Sequence, residues 1–585
     1  MLFIVLLVLP ACSGEKEKSH ILLITIDTLR RDHLGVYGYP RETSPFIDSL
    51  AREGLLFKNA VTPIPITAAS HATILTSLHP LTHQLLNNGE ALRDEVQTIA
   101  EVLRENGYYT IGAVGAKMMT EKSQFNQGFM AFSDKFKSWQ RDAKKVNRDI
   151  YKMVDQYLSS SRDKNKPLFL WIHYYDPHAP YLYKNFEFKN EIPDYMLKRY
   201  PMRKFLLKRY DNEIRFVDEA VKELFQYLKS RHLDTKLLTC ITADHGEQHG
   251  EHGYVNIHCD FYTETTFVPL ILHGKAIPKG KTIERFVSTM DISRTLLDMV
   301  GLTFDYQPDG RNLFDESKEK RDFLIVGHPS DIKSLQLIRR PMSYILNHDR
   351  FYRYWYFSDT FTAPGNQLKL VKEKDIEVEK KTLKHFTVYI PDAFQTGLRY
   401  ALISARLQGK EGTELKKEVS HKVVMVTFNR RLHARRIINK KIEYMNVVQP
   451  ITTLDRQELK INFLVEPGID ITDIKYALLT EKEFMDMAGA FEKWESTVFT
   501  RIRSRRKDNS WDELYHLPDD IDMVNNLLRG KDIRKYEALV PVYKKSLYAL
   551  FDSYRQKGMK LLGDPKRGDR LSKDQVKMLK SLGYL

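Results

Sequence analysis

The chain has 585 residues, 42% hydrophobic and 29% charged, which at about 150 residues per domain leaves room for three or four domains. With 28 Gly and 23 Pro, the composition excludes a disordered, collagen-like or polytopic membrane chain, each of which requires a far more skewed make-up. The net charge of +15 is unevenly placed: residues 1–320 hold 42 basic and 41 acidic side chains, so nearly all of the surplus lies beyond them.

The chain opens on an apolar run from Met1 to Pro10, followed by Ala11 and Cys12. That is too short for a membrane-spanning helix, which takes about 20 residues, but it has the form of the apolar core of a secretory signal. The ending Leu9-Pro10-Ala11-Cys12 resembles a bacterial lipobox, in which the signal is cut before a cysteine that then receives lipid. Residues 1–19 are therefore read as a lipoprotein-type signal peptide and tether. Cys12 would anchor the folded part to the membrane, facing the periplasm in the bacterial cell envelope. A cleaved signal without lipid is the alternative. Cys240 and Cys259 are too few for a disulfide framework and read as small, partly buried residues.

From residue 20 the pattern is α/β. Ile21–Ile26 is a β-branched apolar run typical of a strand buried on both faces, and similar runs occupy Thr110–Val114, Pro167–His173, Lys236–Thr242 and Val268–Leu272. Between them, apolar residues three and four apart predict helices over Pro45–Glu53, Thr98–Glu105 and Glu213–Lys229. This alternation predicts a doubly wound catalytic domain over 20–350. Residues 351–495 switch to alternating stretches such as His421–Phe428 and Leu459–Val465, predicting an inserted antiparallel β-rich module. Within it, the mixed-charge run Val371–Lys381 reads as a solvated linker. Residues 496–585 form a small C-terminal subdomain with helical patterns over Lys531–Lys557 and Lys573–Leu582.

Three strand ends carry chemistry. Asp27 ends the first strand, and ligands in open α/β sheets bind beyond the carboxyl ends of strands. Asp176 and His178 follow the strand at 167–173, and Asp244-His245-Gly246 follows the strand at 236–242, where the glycine permits a bend that lets both neighbours face one ion. Thr67-Ala-Ala-Ser70-His71 reads as a turn entering a helix, with Ser70 as a plausible cap. A nucleophile there would sit where backbone N–H groups and the helix dipole favour negative charge, which suits phosphate or sulfate transfer. His249 and His252, in a glycine-rich loop, read as solvated.

Taken in order, these segments resemble the sulfatases and phosphonate or phosphodiester hydrolases of the alkaline phosphatase superfamily. The resemblance runs through Ile24–Gly38, Thr43–Asp48, Phe57–Ala60, the Thr67 segment, Leu78–Pro80, Asn88-Gly89, Pro177–Tyr181, Asp244–Glu247, Glu251–Gly253, Val268–Leu270 and Asp291–Leu297, then resumes at Glu513–Asp519 and Leu579–Leu585. It implies an alkaline-phosphatase-like mixed sheet flanked by helices. It also implies a divalent metal ion, with Ca, Mg, Mn and Zn all open, held by Asp27, Thr67, Asp244 and His245. Thr67 would be the nucleophile, His178 and His258 the catalytic partners in proton transfer, and Asn88 and His71 the substrate contacts. A second metal at Asp176, His178 and His258 ranks below a single-metal site.

The departures are specific. Sulfatases proper carry an oxidisable Cys or Ser at the position of Thr67, followed by Pro and Arg. Here the run is Thr-Ala-Ala-Ser-His, so no formylglycine is expected, and Thr28 replaces a second metal aspartate. A threonine nucleophile points to phosphodiester or phosphonate esters ahead of sulfate esters. The expected partner is an anionic ester, sulfated or phosphorylated, on a glycan, lipid or small molecule. A head-group transferase and a non-catalytic binding protein are the alternatives. Despite the positive charge there is no nucleic-acid recognition motif, and no nucleic-acid partner is expected. The basic stretches Asn429–Arg436 and Arg501–Lys507 instead suggest a surface for anionic lipid head groups or an acidic glycan.

Overall fold

The computed structural model describes residues 18–136, 140–179, 186–197, 203–249 and 261–315, with Tyr181 and Glu251; beyond them it describes 321–327, 334–347, separate strands between 349 and 503, residues 513–519, 523, 527–528 and 533–563. Cys12, His252, His258, Cys259 and the tail at 573–582 lie outside the described residues.

The first region is built on an eight-stranded sheet. Its strands are β1 (His20–Ile26), β2 (Leu55–Val61), β3 (Tyr109–Val114), β4 (Ala131–Ser133), β5 (Leu168–Tyr174), β6 (Leu237–Thr242), β7 (Phe267–His273) and β8 (Lys281–Ser288). Their order is β4-β3-β5-β1-β6-β7-β2-β8. All neighbours pair in parallel except that β7 runs antiparallel to both β6 and β2, so the sheet is mixed. The helices are α1 (Pro45–Arg52), α2 (Thr67–Thr76), α3 (Pro80–His83), α4 (Ile99–Glu105), α5 (Ala143–Ser159), α6 (Asp194–Leu197), α7 (Arg203–Ser230), α8 (Thr263–Thr266) and α9 (Asp291–Met299). α1, α5 and α7 pack together as one layer, and α2, α4 and α9 as the other. Burial between two helical layers is why β1 and β6 have no polar alternation: Ile21, Leu22, Leu23, Ile24, Cys240 and Ile241 are fully buried. Each such aliphatic side chain contributes roughly 1.5–3 kcal/mol by leaving water. This is the α/β class expected from the sequence.

The central register positions the chemistry. Thr25 of β1 lies opposite both His173 of β5 and Thr242 of β6, so the residues that follow the three strands emerge at one height on one edge.

A second sheet contains β9 (Phe323–Val326), β10 (Ser334–Arg339) and β11 (Met342–Asn347), and its last member, Glu513–His516, comes from far along the chain and pairs with β11. One face of this sheet packs on the C-terminal helix Val540–Leu562 through Leu324, Leu337, Tyr344, Leu514, Tyr543 and Leu547. The chain between β11 and Glu513 therefore leaves and returns at adjacent points. Its described strands pair antiparallel, in two five-stranded sheets and one two-stranded ribbon. Val371–Val378, expected as a solvated linker, is instead a strand paired with Lys381–Tyr389. Val371, Ile376 and Val378 supply the β-branched residues that a strand favours, which the bare charge count conceals.

Candidate active site

Asp27 stands immediately beyond β1 and Asp244 two residues beyond β6, and both are fully buried. With His245 they form a group in which one ligand atom from each residue lies within 4.8 Å of the others. The local backbone is shaped for this. Thr28 adopts a left-handed φ of 53° and turns its N–H onto Asp244 Oδ1 at 3.1 Å, while the His245 N–H donates to the same oxygen at 2.8 Å. A Cβ on Gly246 would meet the Glu264 carbonyl at 1.9 Å, so only glycine lets this loop lie against its neighbour. The Gly246 carbonyl also accepts from His245 Nδ1 at 2.9 Å, which places the lone pair on Nε2, the nitrogen suited to ligation.

The electrostatics call for a cation. Both Asp27 oxygens and Asp244 Oδ2 are buried with no hydrogen-bond partner. Burial, then the nearby charges of Asp244 and Glu247, push the Asp27 carboxyl well above its usual range. Burial lifts Asp244 to about 6, against the opposing pull of His71 and the backbone donors. Two buried carboxylates within 4.8 Å of each other are costly unless a positive ion lies between them. An oxygen-rich set with one imidazole fits a divalent metal ion.

Thr67 is the first residue of α2, and its Oγ1 lies 3.3 Å from His245 Nε2. No side chain of α2 caps its own start. Ser70, expected as the cap, lies inside the helix, with its hydroxyl 2.8 Å from the Asp244 carbonyl and 3.0 Å from Thr62 Oγ1. Asn88 takes the capping role from a distance: its Oδ1 accepts from the Ala68 N–H at 2.9 Å, while Nδ2 is buried with no partner. An unpaired amide donor beside a helix N-terminus is suited to an anionic oxygen.

His71, expected as a substrate contact, lies one turn beyond Thr67 within α2. Both its ring nitrogens are engaged by protein, Nδ1 by the Thr67 carbonyl at 2.7 Å and Nε2 by Thr25 Oγ1 at 3.0 Å, and the ring is fully buried. His178 is buried and stacks on Tyr175 with ring centroids 4.5 Å apart, and its Nδ1 donates to the Ala179 carbonyl at 2.6 Å. The Tyr175 hydroxyl is pushed up by burial and then by Asp27, Glu247 and Asp244, which ties this stack electrostatically to the carboxylates. Asp176 accepts from the Ala143 N–H at the start of α5, and burial raises it to about 7.

His249, expected as a solvated loop residue, is fully buried: Nδ1 lies 3.2 Å from Arg30 Nη1 and Nε2 lies 2.8 Å from the Tyr181 hydroxyl. Arg30 also pairs with Asp32 at 2.6 Å and Glu251 at 2.5 Å, fastening this loop to the end of β1. Neither Arg30 nor His173 stood out in the sequence. The one readable signal for His173 is an imidazole within an otherwise apolar buried strand.

Residues 19–302 match the family model described as Sulfatase. The arylsulfatase of Clostridium perfringens is 23% identical over 392 residues, spanning 52% of this chain and 81% of that protein. The multifunctional alkaline phosphatase superfamily protein PehA of Trinickia caryophylli is 23% identical, spanning 54% and 78%, and human N-sulphoglucosamine sulphohydrolase is 25% identical, spanning 51% and 64%. Among solved structures, the phosphonate monoester hydrolase of Agrobacterium radiobacter aligns with a TM-score of 0.46 at 17% identity, covering 56% of this chain and 87% of that one.

Proposed function

Because residues 19–302 match the sulfatase family model, we propose that the chain is a divalent-cation-dependent hydrolase of sulfate or phosphate esters with Thr67 as its nucleophile. One observation carries the reading: Thr67 Oγ1 at the start of α2 lies 3.3 Å from His245 Nε2, within the cluster of Asp27, Asp244 and His245 whose unpaired buried oxygens call for a cation. Asp27, Asp244, His245 and Thr67 would hold that ion, which when bound supplies positive charge that eases deprotonation of a hydroxyl and offsets charge on a transferring group.

The chain's own groups account for the rest. The Asn88 amide N–H, beside the start of α2, receives a non-bridging oxygen of the substrate, and the helix dipole favours its charge. Thr67 Oγ, its proton released to solvent, forms a bond to phosphorus or sulfur as the bond to the leaving alcohol breaks, and His178 gives that alcohol a proton. Water then attacks the Thr67 ester and loses a proton to the same imidazole, and Thr67 Oγ leaves and takes up a proton from solvent, which restores the hydroxyl. Threonine has a single hydroxyl, so its adduct is an ordinary ester released only by this second attack, which favours phosphodiester and phosphonate substrates.

The test is a screen of purified protein, stripped and reloaded with Ca, Mg, Mn or Zn, against aryl sulfate, phosphate monoester, phosphodiester and phosphonate. Metal-dependent turnover of at least one class is expected, highest for phosphodiester or phosphonate. No cleavage of any class with any metal contradicts the proposal. Placement in the envelope belongs to the same reading and is supported by the Leu9–Cys12 ending of the apolar run. Mass spectrometry of the mature protein is expected to find a lipid-modified Cys12 at the N-terminus; an unprocessed Met1 contradicts it.

A further inference from the structure

Beneath the ligand cluster lies a second layer that the catalytic reading does not use: His71 on α2, Thr25 on β1, and Trp171 and His173 on β5, all fully buried. The two imidazoles meet edge to face, with ring centroids 4.7 Å apart. Their partners fix which nitrogen of each ring carries hydrogen. The Thr67 carbonyl can only accept, so His71 Nδ1, 2.7 Å away, is the N–H. Trp171 Nε1 can only donate, and it donates to Thr25 Oγ1 at 3.2 Å; the Thr25 hydroxyl then gives its own hydrogen to His71 Nε2 at 3.0 Å. The Gly115 backbone N–H donates to His173 Nδ1 at 3.2 Å, so the His173 hydrogen is on Nε2, which faces Asp27 Oδ2 at 3.4 Å. Neither that nitrogen nor that oxygen has a hydrogen-bond partner, and a movement of about half an ångström would join them.

We propose that His71 and His173 are paired positioning residues of opposite tautomer, His71 holding the Thr67 end of α2 onto β1 through its Nδ1–H and His173 holding the Asp27 carboxylate through its Nε2–H. The inference rests on the assignment of Thr67 as nucleophile and Asp27 as cation ligand. It goes further by giving the histidine four residues after Thr67 a specific task. Thr25 stands at the junction, two residues before Asp27 and directly opposite His173 in the sheet register. Its hydroxyl holds His71 onto the strand that ends in Asp27, the kind of outer contact whose loss typically costs 10–100-fold in metal affinity or activity.

Opposite tautomers predict opposite rescue. Asparagine places an amide near Nδ1 of the histidine it replaces, and glutamine places one near Nε2. At position 71, His71→Asn is expected to keep kcat within about tenfold of the parent, while His71→Gln and His71→Leu lose a further tenfold or more at unchanged KM. At position 173 the order reverses, and the readout is Mn2+ affinity, measured by the electron paramagnetic resonance signal of free Mn2+. His173→Gln is expected to bind within about threefold of the parent, and His173→Asn at least tenfold more weakly. Thermal unfolding of each variant shows whether it is folded. Should a histidine variant fail to fold, Thr25→Ser and Thr25→Val decide: the serine keeps kcat and the valine loses it. Equal asparagine and glutamine variants at either position, or equal Thr25 variants, overturn the inference. Thr67→Ala assayed alongside separates the two levels, since an active Thr67→Ala removes the functional reading itself, whereas an inactive one with indifferent histidine variants removes only this inference.

Discussion

Asp176 shows what burial does to a single carboxyl at this site's margin. Its Oδ1 accepts the Ala143 N–H, its Oδ2 is buried without a hydrogen-bond partner, and burial lifts it to about 7. A carboxyl whose folded pKa exceeds its unfolded value of 3.8 stabilises the fold while protonated, so that contribution is complete below about 4 and lost as pH rises through 7. At about 1.4 kcal/mol per unit the effect is on the order of a few kcal/mol. Asp176→Asn keeps an acceptor for Ala143 and removes the titration. Its melting temperature is therefore expected to exceed the parent's by several degrees at pH 8 and by less at pH 5, the gap closing as pH falls below about 4; a parent that gains stability relative to Asp176→Asn as pH rises contradicts this. At this scale the sequence was legible where chemistry marks a strand end, as at Asp27 and Asp244. It was not legible for His173, whose role depends on the register that sets it opposite Thr25, or for Ser70, whose hydroxyl finds Thr62 and the Asp244 carbonyl across the fold.

The elements that carry the site are held from behind. α2 presents Thr67, and α3, which follows it after a short connection, is clasped by the C-terminal helix. A Cβ on Gly558 would meet the Leu81 carbonyl at 2.4 Å, Tyr554 stacks on His79 with centroids 4.0 Å apart, and Lys557 bonds Asp309 at 2.6 Å. Gly558→Ala should therefore loosen this contact although alanine favours a helix, costing roughly 1–3 kcal/mol as overpacking does. Differential scanning calorimetry is expected to show a lower melting temperature; an unchanged or higher one contradicts the close approach. The helices α1, α4 and α7 and the strands β1, β3, β5, β6 and β7 were readable from period and apolar runs, and the α/β class follows from them, whereas α5, α9, β2 and β8 were not singled out. The docking of a helix near residue 550 on a turn near residue 80 was not, because no local pattern encodes a contact between segments so far apart in the chain.

On the scale of the whole molecule, the chain divides between a nearly neutral site-bearing region and a basic remainder, as the count of 42 to 41 over residues 1–320 against a total of +15 requires. Within the remainder, the span 354–498 is closed by a two-stranded ribbon: Asp349–Arg353 pairs with Phe499–Arg503, and Arg353 lies directly opposite Phe499. Replacing residues 354–498 by an Asn-Gly turn should close that ribbon, since two-residue loops of this kind match strand twist. The shortened chain is expected to fold and to cleave a small aryl ester at a rate within about tenfold of the parent; insoluble or inactive protein would show that the inserted strands complete the site. The central claim, that the Thr67 hydroxyl attacks the ester within the cluster of Asp27, Asp244 and His245, is tested most directly by comparing kcat/KM of Thr67→Ala with the parent on the best aryl ester, both reloaded with the same metal. A loss of at least a thousandfold, about 4 kcal/mol, with the melting temperature preserved is the predicted result. A loss of less than tenfold would contradict it.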